Sequence, residues 1–265
     1  MIIKTVTLSD NVTLDCYISN AAKVPRKAML VLPGGGYSKI CHDHEGEPIA
    51  LAFVAKGFNA FVLSYHVAPL SDPYQPIVDA SMAMAYIRTH AKELIIDPCK
   101  VYAVGFSAGA HLAAMLSSLW NDSVLMQKTG LTQGVNRPTA VVLCYPVINS
   151  EMQNDERVFT ALLGDKAGDK ALRKRFSADE TINADSVPAF VVCTMTDEGV
   201  PVKNSLRFAG AMAAQGILCE LHVYPKGPHG MALANANTNI GLEQFTDEAY
   251  ARWVDDACVF FNRIV

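Results

Sequence analysis

The chain has 265 residues, of which 51% are apolar and 18% are charged, and its formal net charge is −4. This composition is too apolar for a disordered protein, and no apolar run approaches the roughly 18 residues of a membrane-spanning helix. The small negative charge gives no electrostatic reason to expect nucleic acid or an anionic membrane as a partner.

The first residues, Met1 to Thr7, alternate like a strand and lack the basic region, apolar stretch and cleavage site of a secretory signal, so we expect a cytoplasmic protein. The seven cysteines are scattered without C-x-x-C spacing, and we expect them to be reduced residues that pack in the core. The length favours one domain over residues 1–265.

The predicted elements begin with an antiparallel hairpin over residues 2–8 and 12–18, which alternate around the turn Ser9-Asp10-Asn11. The later apolar runs are continuous, which is typical of strands covered on both faces in a parallel sheet. Helix-period stripes cover Tyr74 to Leu94 and Phe245 to Ile264. The sequence thus predicts an α/β fold with a mostly parallel, doubly wound sheet. The predicted strands are Ala28 to Leu32, Ala60 to Leu63, Val101 to Val104, Thr139 to Tyr145, Ala189 to Cys193 and Ile217 to Tyr224.

Residues 147–187 interrupt this alternation, because they contain no clear strand and hold most of the local charge. We interpret them as a small cap of short helices. An insertion at the carboxyl edge of a parallel sheet is placed to line a ligand cleft. A solvated surface excursion without a role in binding is the alternative.

The pentapeptide Gly105-Phe106-Ser107-Ala108-Gly109 lies between an apolar strand and a small-residue helix. This is the G-x-S-x-G pattern of a nucleophile elbow, in which a sharp turn lifts the serine hydroxyl out of the sheet. A hydroxyl is a weak nucleophile unless a base removes its proton. Ser107 is therefore the predicted nucleophile, and a base and an orienting acid are needed.

Both partners follow later strands. Asp197 lies just after the strand that ends at Cys193, and His229 lies on a loop after the strand that ends at Tyr224. The carboxyl ends of parallel strands share one edge of a sheet, so we expect His229 to accept the proton of Ser107 while Asp197 orients the imidazole.

Other residues compete for these roles. Glu198 and Asp185 are alternatives to Asp197, which we prefer because it comes directly off a strand end. His222 lies within an alternating strand and His111 within the helix after the nucleophile, so both are expected to serve packing or hydrogen bonding.

The segment Pro33-Gly34-Gly35-Gly36-Tyr37 follows the first strand of the predicted parallel sheet. Glycines allow backbone N–H groups to approach an oxygen closely, so the amides of Gly35, Gly36 and Ala108 are the predicted oxyanion hole. A phosphate-binding loop is a weaker alternative, because the segment is neither G-x-G-x-x-G nor a P-loop.

The cluster His42-Asp43-His44-Glu45 raises the question of a metal site. Adjacent residues seldom satisfy a tetrahedral ion and no distant partner motif is evident, so we expect no metal. Instead, Tyr37, His42 and Glu45 are predicted to line the mouth of the substrate pocket.

Five motifs spread over nearly the whole chain together resemble the α/β-hydrolase superfamily, and within it the small esterase branch described as acetyl-xylan-esterase-like or BD-FAE-like. The resemblance implies hydrolysis of short carboxylic esters, acetyl on a carbohydrate in particular, without a cofactor. The expected partner is a small ester such as an acetylated sugar, and a homo-oligomer stays open. The motifs are Leu32-Pro33-Gly34-Gly35-Gly36-Tyr37, Glu45-Gly46-Glu47-Pro48-Ile49-Ala50, Gly105-Phe106-Ser107-Ala108-Gly109, Asp197-Glu198-Gly199-Val200-Pro201 and Gly227-Pro228-His229-Gly230-Met231.

The chain departs from this branch where it has Tyr65-His66 and His44-Glu45, since many relatives carry an arginine at the positions of His66 and His44. These changes touch contacts near the site and leave the three predicted catalytic residues in place. A peptidase or amidase, a dienelactone-type hydrolase and a lipase remain rival activities. A ligand-binding member of the fold without turnover is the rival from another class.

Overall fold

The computed structural model describes residues 1–21, 24–152 and 156–264. Its centre is an eight-stranded sheet in the order β1-β2-β4-β3-β5-β6-β7-β8. The strands are β1 (Ile2–Ser9), β2 (Val12–Ile18), β3 (Arg26–Leu32), β4 (Phe58–Ser64), β5 (Ile96–Phe106), β6 (Val141–Cys144), β7 (Ala189–Thr194) and β8 (Cys219–Tyr224).

The pairing of these strands confirms the predicted sheet. β1 pairs with β2 in antiparallel fashion, and β2 pairs in the same way with β4. All other neighbours, from β4 through β3 to β8, are parallel. The N-terminal hairpin therefore extends one side of a parallel sheet.

Helices connect the parallel strands. The first five are α1 (His42–Glu45), α2 (Glu47–Ala55), α3 (Gln75–Thr89), α4 (Ala108–Leu119) and α5 (Ser123–Thr129). The remaining five are α6 (Glu156–Leu163), α7 (Lys170–Arg175), α8 (Ala178–Thr181), α9 (Lys203–Ala214) and α10 (Trp253–Arg263). Helices α6, α7 and α8 lie within the segment 147–187 between β6 and β7.

The predicted final helix is wrong over its first half, because α10 begins at Trp253 rather than near Phe245. The carboxylate of Asp247 accepts a 2.7 Å hydrogen bond from the amide of Tyr250, while the Asp247 amide bonds the carbonyl of Ala234. Asp247 thus fixes a turn ahead of the helix, and residues 243–252 contain two short 3-10 turns.

The continuous apolar strands divide their side chains between two core layers. In β3, Leu30 and Leu32 join the layer that contains α3 and α4, whereas Met29 and Val31 join the layer that contains α2 and α10. Both faces of the parallel sheet are therefore covered, which explains why the apolar runs in its strands are continuous rather than alternating. Within the described residues, no helix is long and apolar enough to span a bilayer.

Candidate active site

The carboxyl ends of β3, β5, β6, β7 and β8 form one edge of the sheet, where the register aligns Leu32 with Gly105 and Phe106 with Cys144. The glycine loop, the Ser107 turn, Tyr145, Asp197 and His229 follow these strands in that order along the chain. Parallel pairing therefore collects chemistry-bearing residues from five distant segments at a single edge.

Ser107 sits in a strained turn between β5 and α4, with φ 52° and ψ −116°. The flanking glycines make this turn sterically feasible. A Cβ on Gly105 would lie 2.2 Å from the carbonyl oxygen of Gly109, and one on Gly109 would lie 2.1 Å from that of Leu32. Backbone packs directly against both positions, so the pattern of the nucleophile elbow has a physical cause in this chain.

The imidazole of His229 bridges the two other predicted catalytic residues. Its Nε2 lies 2.8 Å from Oγ of Ser107, and its Nδ1 lies 2.8 Å from Oδ2 of Asp197. An ionised carboxylate can only accept, so Nδ1 carries the proton and Nε2 is free to accept one from the serine hydroxyl. The structure thus brings together Ser107, His229 and Asp197.

The carboxylate of Asp197 is buried and held by backbone. Its Oδ1 accepts 2.8 Å hydrogen bonds from the amides of Gly199 and Val200. Gly199 also packs closely on His229, since a Cβ there would lie 2.8 Å from Cβ of His229. This loop fixes both the acid and the imidazole that it orients.

The competing residues lie elsewhere. Asp185 bonds the amide side chain of Asn121. His222 pairs with Glu220 on β8 at 2.9 Å. His111 is buried on α4, where its ring bonds Tyr37 and Phe176 rather than Ser107. Asp197 rather than Glu198 reaches His229, which fits a side chain that comes directly off the strand end.

The glycine loop is positioned beside Ser107 with unusual backbone angles. Gly35 and Gly36 have φ values of 126° and 64°, which disfavour any residue with a side chain. In the described part of the chain, the amides of Gly35, Gly36 and Ala108 have no hydrogen-bond acceptor. Gly36 and Gly35 line the cleft that contains Ser107, and Ala108 begins α4, whose N-terminus favours negative charge.

Glu45 connects this loop to the other side of the site. It is buried, its Oε2 accepts a 2.8 Å bond from the Gly34 amide, and its Oε1 accepts a 2.7 Å bond from the Tyr145 hydroxyl. The same hydroxyl accepts a 3.1 Å bond from the amide of Ala232, in the loop after His229. Burial, together with the neighbouring carboxylate, raises the pKa of Tyr145, so its hydroxyl remains a donor.

Tyr145 was not predicted from the sequence, although a signal was present. It follows β6 directly, at the same sheet edge as Ser107, Asp197 and His229. Its ring also stands edge-on to the His229 imidazole, with centroids 5.0 Å apart. A search of the residues that directly follow each strand, in addition to motif matching, would have identified Tyr145.

Tyr37 does not line the pocket mouth as predicted, because its side chain is 1% exposed. Its hydroxyl bonds Nδ1 of His111 at 2.8 Å, and Nε2 of His111 bonds the carbonyl of Phe176 at 2.7 Å. Since the carbonyl can only accept, Nε2 carries the proton and Tyr37 donates to Nδ1. This chain of bonds joins the glycine loop, α4 and the end of α7.

His42 is also misplaced by the prediction, since it turns away from the cleft and bonds the hydroxyl of Ser64 at 3.0 Å. His44, two residues later, lines the cleft together with Glu45, Cys41, Ile240 and Phe245. The turn of α1 thus places Cys41, His44 and Glu45 on the cleft side and His42 on the other side, which the sequence did not reveal.

Two adjoining cavities of about 290 and 300 Å³ meet at Ser107, Gly36 and His229. The first is bounded by Arg157 and Val158 of α6, and the second by Ile240 and Phe245 of the C-terminal loop. A larger cavity of about 1010 Å³ lies between residues 149–152 and helices α6 to α8, but it contains none of the three triad residues. The candidate site is the smaller pair of cavities, because Ser107, the predicted nucleophile, lies there.

The cysteines are only partly the core residues that we expected. Cys16, Cys144 and Cys193 are buried, whereas Cys99 is exposed and Cys41 lines the cleft. Burial raises the pKa of Cys193 to about 11 and also that of Cys144, so neither thiol is a nucleophile at neutral pH.

Comparisons with known proteins show the family to which the chain belongs. The BD-FAE family model matches residues 14–212. Endo-1,4-beta-xylanase B of Butyrivibrio fibrisolvens is 38% identical over 215 residues, which are 80% of this chain and 33% of that protein. An acetylxylan esterase of Xylanibacter ruminicola is 30% identical over 208 residues, 77% of this chain and 41% of that protein. The matched region is thus well under half the length of these two curated relatives.

Solved structures of ester hydrolases resemble this chain over nearly its full length. An acetyl ester-xyloside bifunctional hydrolase from Caldicellulosiruptor lactoaceticus superposes with a TM-score of 0.81 at 31% identity, covering 97% of both chains. A carboxylesterase from Lactobacillus plantarum superposes with a TM-score of 0.85 at 25% identity, covering 99% of this chain and 98% of the other. With a family model that matches three quarters of the sequence and a sheet of the expected order, the chain belongs to the BD-FAE family of α/β-hydrolases.

Proposed function

We propose that the protein is a serine carboxylesterase that removes short acyl groups, acetyl in particular, from carbohydrate esters through an acyl-enzyme. The observation that carries this proposal is the position of the His229 imidazole, 2.8 Å from both Ser107 Oγ and Asp197 Oδ2. A hydroxyl, a base and an orienting carboxylate in this arrangement suit acyl transfer.

The reaction follows from the protonation states. His229 Nε2 removes the proton of Ser107 as Oγ attacks the ester carbonyl carbon, and the negative charge moves to the carbonyl oxygen. The amides of Gly35, Gly36 and Ala108 are the donors assigned to that oxygen. His229 then gives the proton to the departing alkoxide, which leaves as the alcohol, and Ser107 carries the acyl group.

Water completes the cycle by the same groups. His229 takes a proton from a water molecule, the hydroxide attacks the acyl carbon, and the returning proton restores the serine hydroxyl as the carboxylic acid leaves. Throughout, Asp197 keeps the proton on Nδ1 and stabilises the imidazolium. No group beyond this chain's own residues is needed for the proton transfers.

The choice of substrate is supported by the relatives and by the size of the cleft. One relative is named an acetylxylan esterase and one structural neighbour an acetyl ester-xyloside hydrolase. Cavities of about 290 and 300 Å³ on either side of Ser107 have room for a small acyl group and for a sugar ring.

The test combines turnover with labelling. Ser107→Ala should lower kcat for p-nitrophenyl acetate by at least about 10³-fold while the protein stays folded. A serine-directed phosphonate should attach to Ser107 of the unaltered chain, as found by peptide mass. The matched control is Ser38→Ala, since Ser38 also borders the cleft, and it should keep most of the turnover. Unchanged turnover in Ser107→Ala would overturn the proposal.

Substrate choice is measured separately. Acetylated xylo-oligosaccharides are compared with p-nitrophenyl esters of increasing acyl length. We expect kcat/KM to fall steeply as the acyl chain grows beyond acetyl and propionyl. Equal kcat/KM for acetyl and long-chain esters would contradict the short-acyl part of the proposal and leave the serine mechanism standing.

A further inference from the structure

Three potential metal ligands stand together in the wall of the cleft. Cys41 Sγ, an imidazole nitrogen of His44 and a carboxylate oxygen of Glu45 all lie within 4.8 Å of one another. All three residues border the cavity that also contains Ser107 and His229. This set differs from the four adjacent residues considered in the sequence, because the turn of α1 brings in Cys41 and leaves His42 outside.

The imidazole of His44 is oriented for binding. Its Nδ1 lies 2.8 Å from Oδ1 of Asp43, a carboxylate that can only accept, so Nδ1 carries the proton. The Nε2 lone pair is then free, and Nε2 lies 3.9 Å from Oε1 of Glu45. A carboxylate behind the other ring nitrogen is the usual support of a metal-binding histidine.

Glu45 is held rigidly and still has acceptor capacity. Its two oxygens each accept one hydrogen bond, from the Gly34 amide and the Tyr145 hydroxyl, whereas a carboxylate offers about four lone-pair positions. Cys41 is fixed by its own amide, which donates a 3.0 Å bond to the carbonyl of Gly34. The backbone around these ligands is therefore held by hydrogen bonds that do not depend on an ion.

The donor set selects the type of cation. One sulfur, one imidazole nitrogen and one carboxylate oxygen suit Zn²⁺, whereas Mg²⁺ and Ca²⁺ prefer oxygen alone. In a tetrahedral zinc site the ligand atoms stand about 3.3–3.8 Å apart, so the observed separations need only small side-chain adjustments. Binding forms the Zn–S bond and releases the thiol proton to solvent.

We propose that Cys41, His44 and Glu45 bind one Zn²⁺ ion in the cleft wall, and that the bound ion reversibly inhibits the enzyme by occupying space beside Ser107 and His229. The binding step stands on the geometry of the three ligands alone. The inhibition rests on the proposed esterase function, so the two are tested separately.

Binding is tested in the full chain carrying Ser107→Ala, which needs no turnover. Co²⁺ serves as the spectroscopic probe, and we expect one equivalent with a sulfur-to-metal charge-transfer band that Zn²⁺ displaces. The band should disappear in Cys41→Ser, and the affinity should drop by more than 100-fold in His44→Gln. Asp43→Asn, which removes only the support of the imidazole, should weaken binding by about 10–100-fold. Cys99→Ser and His222→Gln, at positions away from the cleft, are matched controls and should bind normally.

Inhibition is tested with p-nitrophenyl acetate in the presence of Zn²⁺, each variant being compared with its own activity in EDTA. We expect EDTA to restore turnover fully and Cys41→Ser and His44→Gln to need at least 100-fold more Zn²⁺ for half-inhibition. An unchanged inhibition constant in both variants would overturn the inhibitory role and assign zinc to the triad itself. Absence of the charge-transfer band in the Ser107→Ala chain would overturn the site, whatever the esterase assays show.

Discussion

The hydroxyl of Tyr145 donates a 2.7 Å hydrogen bond to Oε1 of the buried Glu45, a residue 100 positions earlier in the chain. Glu45 also accepts a bond from the Gly34 amide in the glycine loop, and the Tyr145 hydroxyl accepts a bond from the Ala232 amide in the loop of His229. The Tyr145–Glu45 bond therefore connects these two loops. Two parts of the proposed machinery, the oxyanion donors and the base, are thereby held in one geometry.

Removing this hydroxyl should affect both stability and turnover. Tyr145→Phe leaves the Ala232 amide and Glu45 Oε1 without their partner in a buried setting, so we expect a loss of about 1–3 kcal/mol in the free energy of unfolding. We also expect kcat/KM for p-nitrophenyl acetate to fall about tenfold, equal to about 1.4 kcal/mol. Urea unfolding and steady-state kinetics measure the two effects.

The matched control is Tyr250→Phe. The Tyr250 hydroxyl is also buried, but it has no hydrogen-bond partner within the residues that the structure describes. Its removal should leave stability unchanged or raise it. Equal losses in the two variants would show that removing any buried tyrosine hydroxyl has this effect, and that the bond to Glu45 is not responsible.

Asp197→Asn should reduce kcat by about 10⁴-fold while the protein stays folded. The asparagine oxygen would take over the two bonds from the Gly199 and Val200 amides, which turns its NH₂ group toward Nδ1 of His229. Nδ1 must then accept, so the imidazole proton moves to Nε2, where it blocks removal of the serine proton. Glu198→Gln is the adjacent control and should retain turnover; a comparable loss there would contradict the choice of Asp197.

Gly109→Ala should disturb the nucleophile turn. The new Cβ would lie 2.1 Å from the Leu32 carbonyl oxygen and 2.5 Å from that of Pro33, and neither backbone group can yield without moving β3. We expect a destabilisation of about 1–3 kcal/mol or more, with a loss of turnover. Thermal unfolding and kinetics are the measurements.

Gly210→Ala is the control for this substitution. Gly210 lies in α9, exposed, and a Cβ there meets no atom within 4 Å. The alanine should stabilise the helix by about 0.5–1 kcal/mol. If both substitutions had the same effect, the close approach of backbone at Gly109 would not be the constraint.

Acid should destabilise the protein through His111. Burial lowers the pKa of this imidazole to about 4, below its usual value near 6.5 in an unfolded chain. The unfolded state therefore binds more protons between these pH values, so stability is full above about 6.5 and decreases as pH falls toward 4. The shift corresponds to a loss of about 3 kcal/mol.

Urea unfolding at pH 7 and pH 4.5 measures this effect. His111→Gln lowers stability at pH 7, because it disturbs the bonds to Tyr37 and Phe176, but it should flatten the decrease between the two pH values. His90→Gln, at the half-buried residue that follows α3, is the control and should keep the slope of the unaltered protein. A slope that persists in His111→Gln would assign the acid sensitivity to other groups.

Much of the fold was predictable because its causes are local. A strand that is apolar at every position must be covered on both faces, and this placed β3 to β7 in a two-sided parallel sheet. The glycines around Ser107 reflect contacts with backbone only a few residues away or on a neighbouring strand. Asp197 and His229 followed from the rule that parallel strands end at one edge.

The sequence alone therefore determined the class of fold, the sheet edge where the candidate site lies, and the three predicted catalytic residues that meet there, Ser107, Asp197 and His229. The tertiary structure decided which other side chains come together: Tyr145 with Glu45, Tyr37 with His111, and Cys41 with His44. The reason is physical. A strand or a tight turn is set by neighbouring residues, whereas a buried polar group takes its partner from whatever the packed core brings within about 3 Å.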